Sequence, residues 1–197
     1  MEGDTTIDDS EKTRPPVTAL RYASPSELYA NFPQLREMTQ LRPRDDEDGM
    51  DFLHRLYESQ TPEEAITFTA FAARPKMSVW WGYECLRNLR ADFSSHDREL
   101  LEKIARWSTN GDTDVRYDIM RTALFAEKRT AAVVLGLAAG WAGPQIAPND
   151  PTPVPAQRTP RAVNSAVLSA LAQCNLANRP HHLAKLLTLA ESLFRAY

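Results

Sequence analysis

The stretch Arg74-Pro75-Lys76-Met77-Ser78-Val79-Trp80-Trp81-Gly82-Tyr83-Glu84-Cys85-Leu86-Arg87 decides how this chain is read. A proline ring removes a backbone donor and clashes with the turn before it, so Pro75 ends any helix arriving from the N-terminal side; the same residue fits the first turn of a helix that begins there. Two helices therefore meet at Pro75. On the second, helical spacing puts Trp81 with Met77, Cys85 and Leu89, and Trp80 with Glu84 and Arg87. Trp81 is expected to close the core. Trp80, with Lys76, Glu84 and Arg87, is expected to form a partly exposed patch beside the proline-rich segment further along, since indoles stack on proline and attract cations.

Working outward, Ser24-Pro25-Ser26-Glu27 is a helix start with Ser24 as cap, and the helix is short because Pro33 follows. Met50, Phe52, Leu53, Leu56 and Tyr57 recur at helical spacing behind the acidic residues Asp45, Asp46, Glu47, Asp48 and Asp51. Thr61-Pro62-Glu63-Glu64 opens a third helix, packed through Ala65, Ile66, Phe68, Thr69 and Ala72. After the Trp-Trp helix, Ser94 or Ser95 caps a fifth, which closes at Asn110-Gly111. Asp112 or Thr113 starts a sixth, whose apolar stripe is read as Val115, Ile119, Leu124 and Phe125. Thr130 to Trp141 is apolar all round, with Gly136 and Gly140 four apart, and is expected at the centre of the fold with another helix close against the glycines.

Residues 143–160 break the pattern: Pro144, Pro148, Pro151, Pro153, Pro155 and Pro160 preclude a regular helix or inner strand. They are read as an ordered, extended strap over the surface, in part polyproline II. Two helices follow, one with Ala162, Val163, Ala166, Val167, Ala170 and Leu171 inward, the other, beyond Arg179-Pro180, with Leu183, Leu186, Leu187, Ala190, Leu193 and Phe194. Strand signals are almost absent. The expected architecture is all-α, an irregular bundle or stacked helical hairpins of about eight or nine helices with a long Pro-rich strap. Residues 1–18 are read as an acidic disordered tail, and 19–197 as a single helical domain containing the strap.

The composition excludes several classes. A chain of 197 residues with 43% hydrophobic and 25% charged residues is neither wholly disordered nor membrane-embedded. A net charge of -3 does not suit a protein whose task is to hold a phosphate backbone, so no nucleic-acid partner is expected. Two cysteines, Cys85 and Cys174, among apolar neighbours fit a reduced, cytoplasmic setting. The acidic N-terminus has no signal-peptide pattern, and the apolar run from Thr130 is shorter than a membrane span.

No Gly-x-Ser-x-Gly elbow, phosphate-binding glycine loop, His-Glu-x-x-His or Cys-x-x-Cys occurs. Adjacent His181 and His182 diverge by about 100° on a helix and are poorly placed to share a metal. Cys85 has Glu84 and Arg87 rather than histidine nearby, so it reads as an inert core thiol. Neither catalytic residues nor cofactors are assigned. Trp141 is read as an aromatic anchor at the strap's entry.

These residues resemble a little-characterised bacterial family. The resemblance rests on Pro75-Lys76, Trp80-Trp81 and Arg87, on Ala139-Gly140-Trp141-Ala142-Gly143 with its proline-rich sequel, and on Thr159-Pro160-Arg161-Ala162-Val163. It covers roughly residues 60 to 197. Members carry a Pro-Arg-x-x-x-Trp-Trp motif, a Trp-Ser-Gly-Gly-like element and a proline strap leading into Thr-x-Arg-Ala-Val. This chain departs with Lys76 for arginine, Glu84 where small residues are common, and Ala142-Gly143 for Ser-Gly-Gly. Genes of that family often lie among type VI secretion genes, which implies a non-enzymatic cytoplasmic adaptor or chaperone for an effector or spike component. Lys76, Trp80, Glu84, Arg87, Trp141 and Arg161 are the partner-binding candidates. The alternatives are an immunity protein whose acidic segments face a basic toxin, and an enzyme of unrecognised type.

Overall fold

A computed structural model describes residues 19–89 and 92–195. The expected acidic tail, residues 1–18, lies outside them. Ten α-helices follow in order: α1 Pro25–Asn31, α2 Leu35–Met38, α3 Gly49–Tyr57, α4 Glu64–Ala72, α5 Pro75–Leu89, α6 Ser95–Asn110, α7 Thr113–Leu124, α8 Ala131–Trp141, α9 Arg158–Ala172 and α10 Arg179–Arg195, with a 3-10 turn at Leu176–Asn178. The all-α expectation holds. The helix beyond the expected nine is α2, a single turn behind Pro33. The described residues contain no strand, only one antiparallel bridge, Leu20 to Ala73, with Arg21 N donating to Ala72 O and Arg74 N to Ala19 O.

Most boundaries follow from capping chemistry. The Ser24 side chain accepts from Glu27 N, with Pro25 in the first turn of α1. Asp48 caps α3 by accepting from Met50 N and Asp51 N, and Glu47 is held by Arg55 at 2.7 Å, so the acidic run is partly built into the fold. Ser94 and Asp97 form a reciprocal capping box on α6. Asp112 caps α7 and Thr130 caps α8. Helix α6 ends on Gly111 at φ 75°. A residue with a Cβ would lose about 1 kcal/mol or more in that left-handed position.

One buried cluster takes side chains from all ten helices. Its middle is shared: α8 is buried on most of its length, as expected, but all nine residues of α4 are buried too. Helix α9 packs against α8, α5 and α4. A Cβ added at Gly82 of α5 would sit 2.8 Å from Leu135 of α8 and 3.1 Å from Val163 of α9, so these three helices touch with little between them. Gly136 and Gly140 give α7 the close approach that their spacing predicts, against Ala123 and Met120. Between α4, α5 and α10 lies a cavity of about 10 Å³. That is close to the smallest space that holds one water.

The proline-rich segment is not the extended strap that the sequence suggested. Val154 N donates to Pro144 O at 3.1 Å, which closes residues 144–154 into a loop, and Asn149 takes a positive φ of 62° inside it. Proline composition excludes helix and inner strand but does not fix the path; the closing bond comes from a non-proline residue ten positions on.

Candidate functional site

Gly82 fixes the orientation of α5. It faces α8 and α9. Trp80, two residues earlier, is rotated from it by about 200°. Ser78, Val79, Trp81, Cys85, Leu86 and Leu89 are buried, whereas Lys76, Trp80, Tyr83 and Glu84 are half-buried and Arg87 is exposed. The four sequence candidates on this helix therefore share its outward face. Trp80 lies against Tyr83 of the same helix, ring centroids 5.4 Å apart. Arg87 Nη1 approaches Glu84 Oε1 at 3.4 Å, a weak surface pair.

Lys76 has a structural task as well. Its Nζ donates to Thr109 O at 3.4 Å, near the end of α6, which has no basic residue of its own in its last turn. Trp81 is the core indole, 2% exposed, facing Leu53, Ala65 and Leu186. Burial pushes the Cys85 thiol well up, and the nearby Glu84 charge adds to this, so the thiolate required of a nucleophile is suppressed. The inert reading of Cys85 stands.

The indole beside the proline-rich loop is Trp141. It ends α8, and the Arg158 guanidinium lies 5.6 Å from its ring centroid. Arg161, two residues before the inward-facing Val163, is exposed and points away from α5. The six candidates consequently divide between the outward face of α5 and the α8–α9 end, and do not converge on one surface.

Two features escaped the sequence reading. The first is Arg116 of α7, only 4% exposed, whose Nη1 donates to Gly140 O at 2.6 Å and Gln145 O at 2.7 Å. It satisfies a carbonyl at the end of α8, which lacks a basic residue there, and holds the entry of the closed loop. Nothing local in the sequence separates it from an ordinary surface arginine. The second is a correction. Leu124 and Phe125 are not packing residues: they are 43% and 82% exposed. Helix α7 buries Arg116, Ile119, Met120 and Ala123, a stripe rotated from the expected one, and Phe125 is already its C-terminal cap. An open groove of about 440 Å³ runs between the outer side of α7 and Ile146, Ala147 and Pro148 of the loop.

Among the described residues no group of three or more His, Cys, Asp or Glu side chains is arranged to hold a metal ion, and no helix is long and apolar enough to cross a membrane. No curated protein and no solved structure matches the chain. A family profile does match, over residues 52–194, from within α3 into α10. The chain belongs to DUF6931, a family of unknown function.

Proposed function

We propose that this protein is a cytoplasmic, non-enzymatic accessory protein of a type VI secretion system, an adaptor or chaperone that holds an effector or spike component. The observation that carries the binding part of this reading is the outward face of α5. An indole and a phenol ring lie together at the surface between Lys76, Glu84 and Arg87, on a helix whose other sides are buried. Tryptophan, tyrosine and arginine are the residues on which protein interfaces most often concentrate their energy. A fully buried Cys85 whose thiolate is suppressed supports binding over catalysis at this helix. The secretion part is supported by the resemblance carried by Pro75-Lys76, Trp80-Trp81 and the Thr159–Val163 segment.

The test is capture by the tagged protein from a strain carrying the native locus, joined to deletion of the gene. Recovery of an effector or spike component, lost with Trp80→Ala, and a fall in effector delivery on deletion are the expected results. Recovery of no secretion component together with unchanged delivery refutes the proposal. Toxicity of a neighbouring gene that this protein alone relieves would point instead to an immunity protein.

A further inference from the structure

The described residues begin at the foot of α5. Arg74 N donates to Ala19 O at 2.8 Å and Arg21 N to Ala72 O at 2.8 Å, an antiparallel pairing in which Ala19 is buried. The Arg74 side chain adds a bond from Nε to Leu20 O at 3.1 Å. Antiparallel partners run in opposite senses, so the chain preceding Ala19 leaves in the direction in which Arg74 leads into Pro75 and Lys76. Residues 1–18 therefore start beside the outward face of α5, which carries Lys76, Trp80, Tyr83, Glu84 and Arg87.

Length and chemistry match this face. At the rise of an α-helix, Trp80 stands about 9 Å along α5 from Arg74, Glu84 about 15 Å and Arg87 about 20 Å. Pro15-Pro16 favours polyproline II, which advances about 3.1 Å per residue with three residues per turn. Counted back from Ala19 at that rise, Pro16 reaches about 9 Å, Arg14 about 16 Å and Glu11 about 25 Å. Pro16 comes level with the Trp80–Tyr83 ring pair, and aromatic rings are the usual seat of polyproline segments. Arg14 comes level with Glu84. Glu11, on the same side of a three-residue turn, comes within a side chain's length of Arg87, with Asp8 and Asp9 beyond it. Glu84 and Arg87 hold each other only weakly, at 3.4 Å, which leaves both able to pair across the contact. The Arg74 and Lys76 side chains are bonded only to carbonyls among the described residues, so the face carries more positive than negative charge opposite an acidic segment.

We infer that residues 8–18 dock in extended form along the outward face of α5 and cover Trp80 and Tyr83, so that the chain shields this face itself. That a secretion component has to displace the segment rests on the role proposed for α5 above; the docking does not.

Photo-cross-linking of the isolated full chain tests the inference, with benzoylphenylalanine in place of Thr13 and peptide mapping of the product. The expected result is attachment within one chain to residues 76–87. Arg87→Glu should lower the yield about three- to five-fold, the size of one or two surface ion pairs. The combined exchange Asp8→Asn, Asp9→Asn and Glu11→Gln should do the same, as should raising the salt from about 0.05 to about 0.5 M. Arg87 is exposed, and unchanged melting of each variant confirms an intact fold. Acrylamide quenching of Trp80, read as the difference between the wild type and Trp80→Phe, should rise when the three carboxylates are neutralised. Attachment outside residues 76–87, attachment only between two copies, or a yield indifferent to both charge changes overturns the inference. No secretion component enters the experiment, so its outcome is separate from that of capture.

Discussion

Replacing Arg116 by methionine should loosen the join between α7, α8 and the closed loop. The substitution keeps an unbranched side chain of similar reach and removes both hydrogen bonds, to Gly140 O and Gln145 O. A hydrogen bond from a charged donor contributes about 1.5–3 kcal/mol, so the gross loss is roughly 3–6 kcal/mol. The guanidinium also leaves the face of the Tyr117 ring, whose centroid is 4.5 Å away. Losing that contact adds about 0.5–1 kcal/mol. Against this, methionine removes a buried cation that no carboxylate neutralises among the described ion pairs, and that relief offsets part of the cost. A net destabilisation of about 2–3 kcal/mol follows, which in a domain of this size lowers the melting temperature by about 4–12 °C. Thermal denaturation followed by helical circular dichroism measures it, and limited proteolysis should show cleavage moving into 144–154 before global unfolding. Arg116→Lys, which keeps the charge but not the planar fork, should fall between the two. A variant that melts with the wild type and keeps the loop protected would show that the cap on α8 is dispensable.

Gly140→Ala should destabilise by about 1–2 kcal/mol, although alanine is the better helix former. The added Cβ meets Met120 Cβ at 2.7 Å, so α7 and α8 must part, and urea denaturation reads the change. Asp118 is held below the usual carboxylate range by its hydrogen bond from Lys103 and then by that from Arg121. A depressed folded-state value means that its contribution is present above the unfolded value of about 3.9 and disappears as pH falls through the folded one. Asp118→Asn should therefore narrow the difference in urea midpoint between neutral pH and about pH 3, a difference that the wild type shows in full. Cys85 should stay unreactive toward a thiol reagent in the native protein and react once unfolded.

The sequence displayed its helix boundaries well because caps are local. Ser24, Ser94, Asp112, Thr130 and Gly111 each act through residues two to four positions away. The split between Trp80 and Trp81 was legible for the same reason, since adjacent residues on a helix cannot share a face. Non-local relations were not legible. Leu124 and Phe125 fit an apolar stripe as well as Ile119 does, and only the position of α8 decides which side of α7 is covered. The bond from Val154 to Pro144 and the reach of Arg116 to Gly140 join residues 10 and 24 apart, which no window of a few turns contains.

On the proposed reading, the outward face of α5 binds a protein of the secretion apparatus while the buried side of the same helix supports the fold. Trp80 is half-buried against Tyr83, so Trp80→Ala should cost little stability. Trp81 is buried, and Trp81→Ala should cost about 3–5 kcal/mol through the cavity it leaves. The most direct measurement is capture of effector or spike component from the native strain by Trp80→Ala and Arg87→Ala, each matched to wild type in melting temperature. Loss of the captured component with the fold intact is the expected result; undiminished capture by both variants would refute binding at this face.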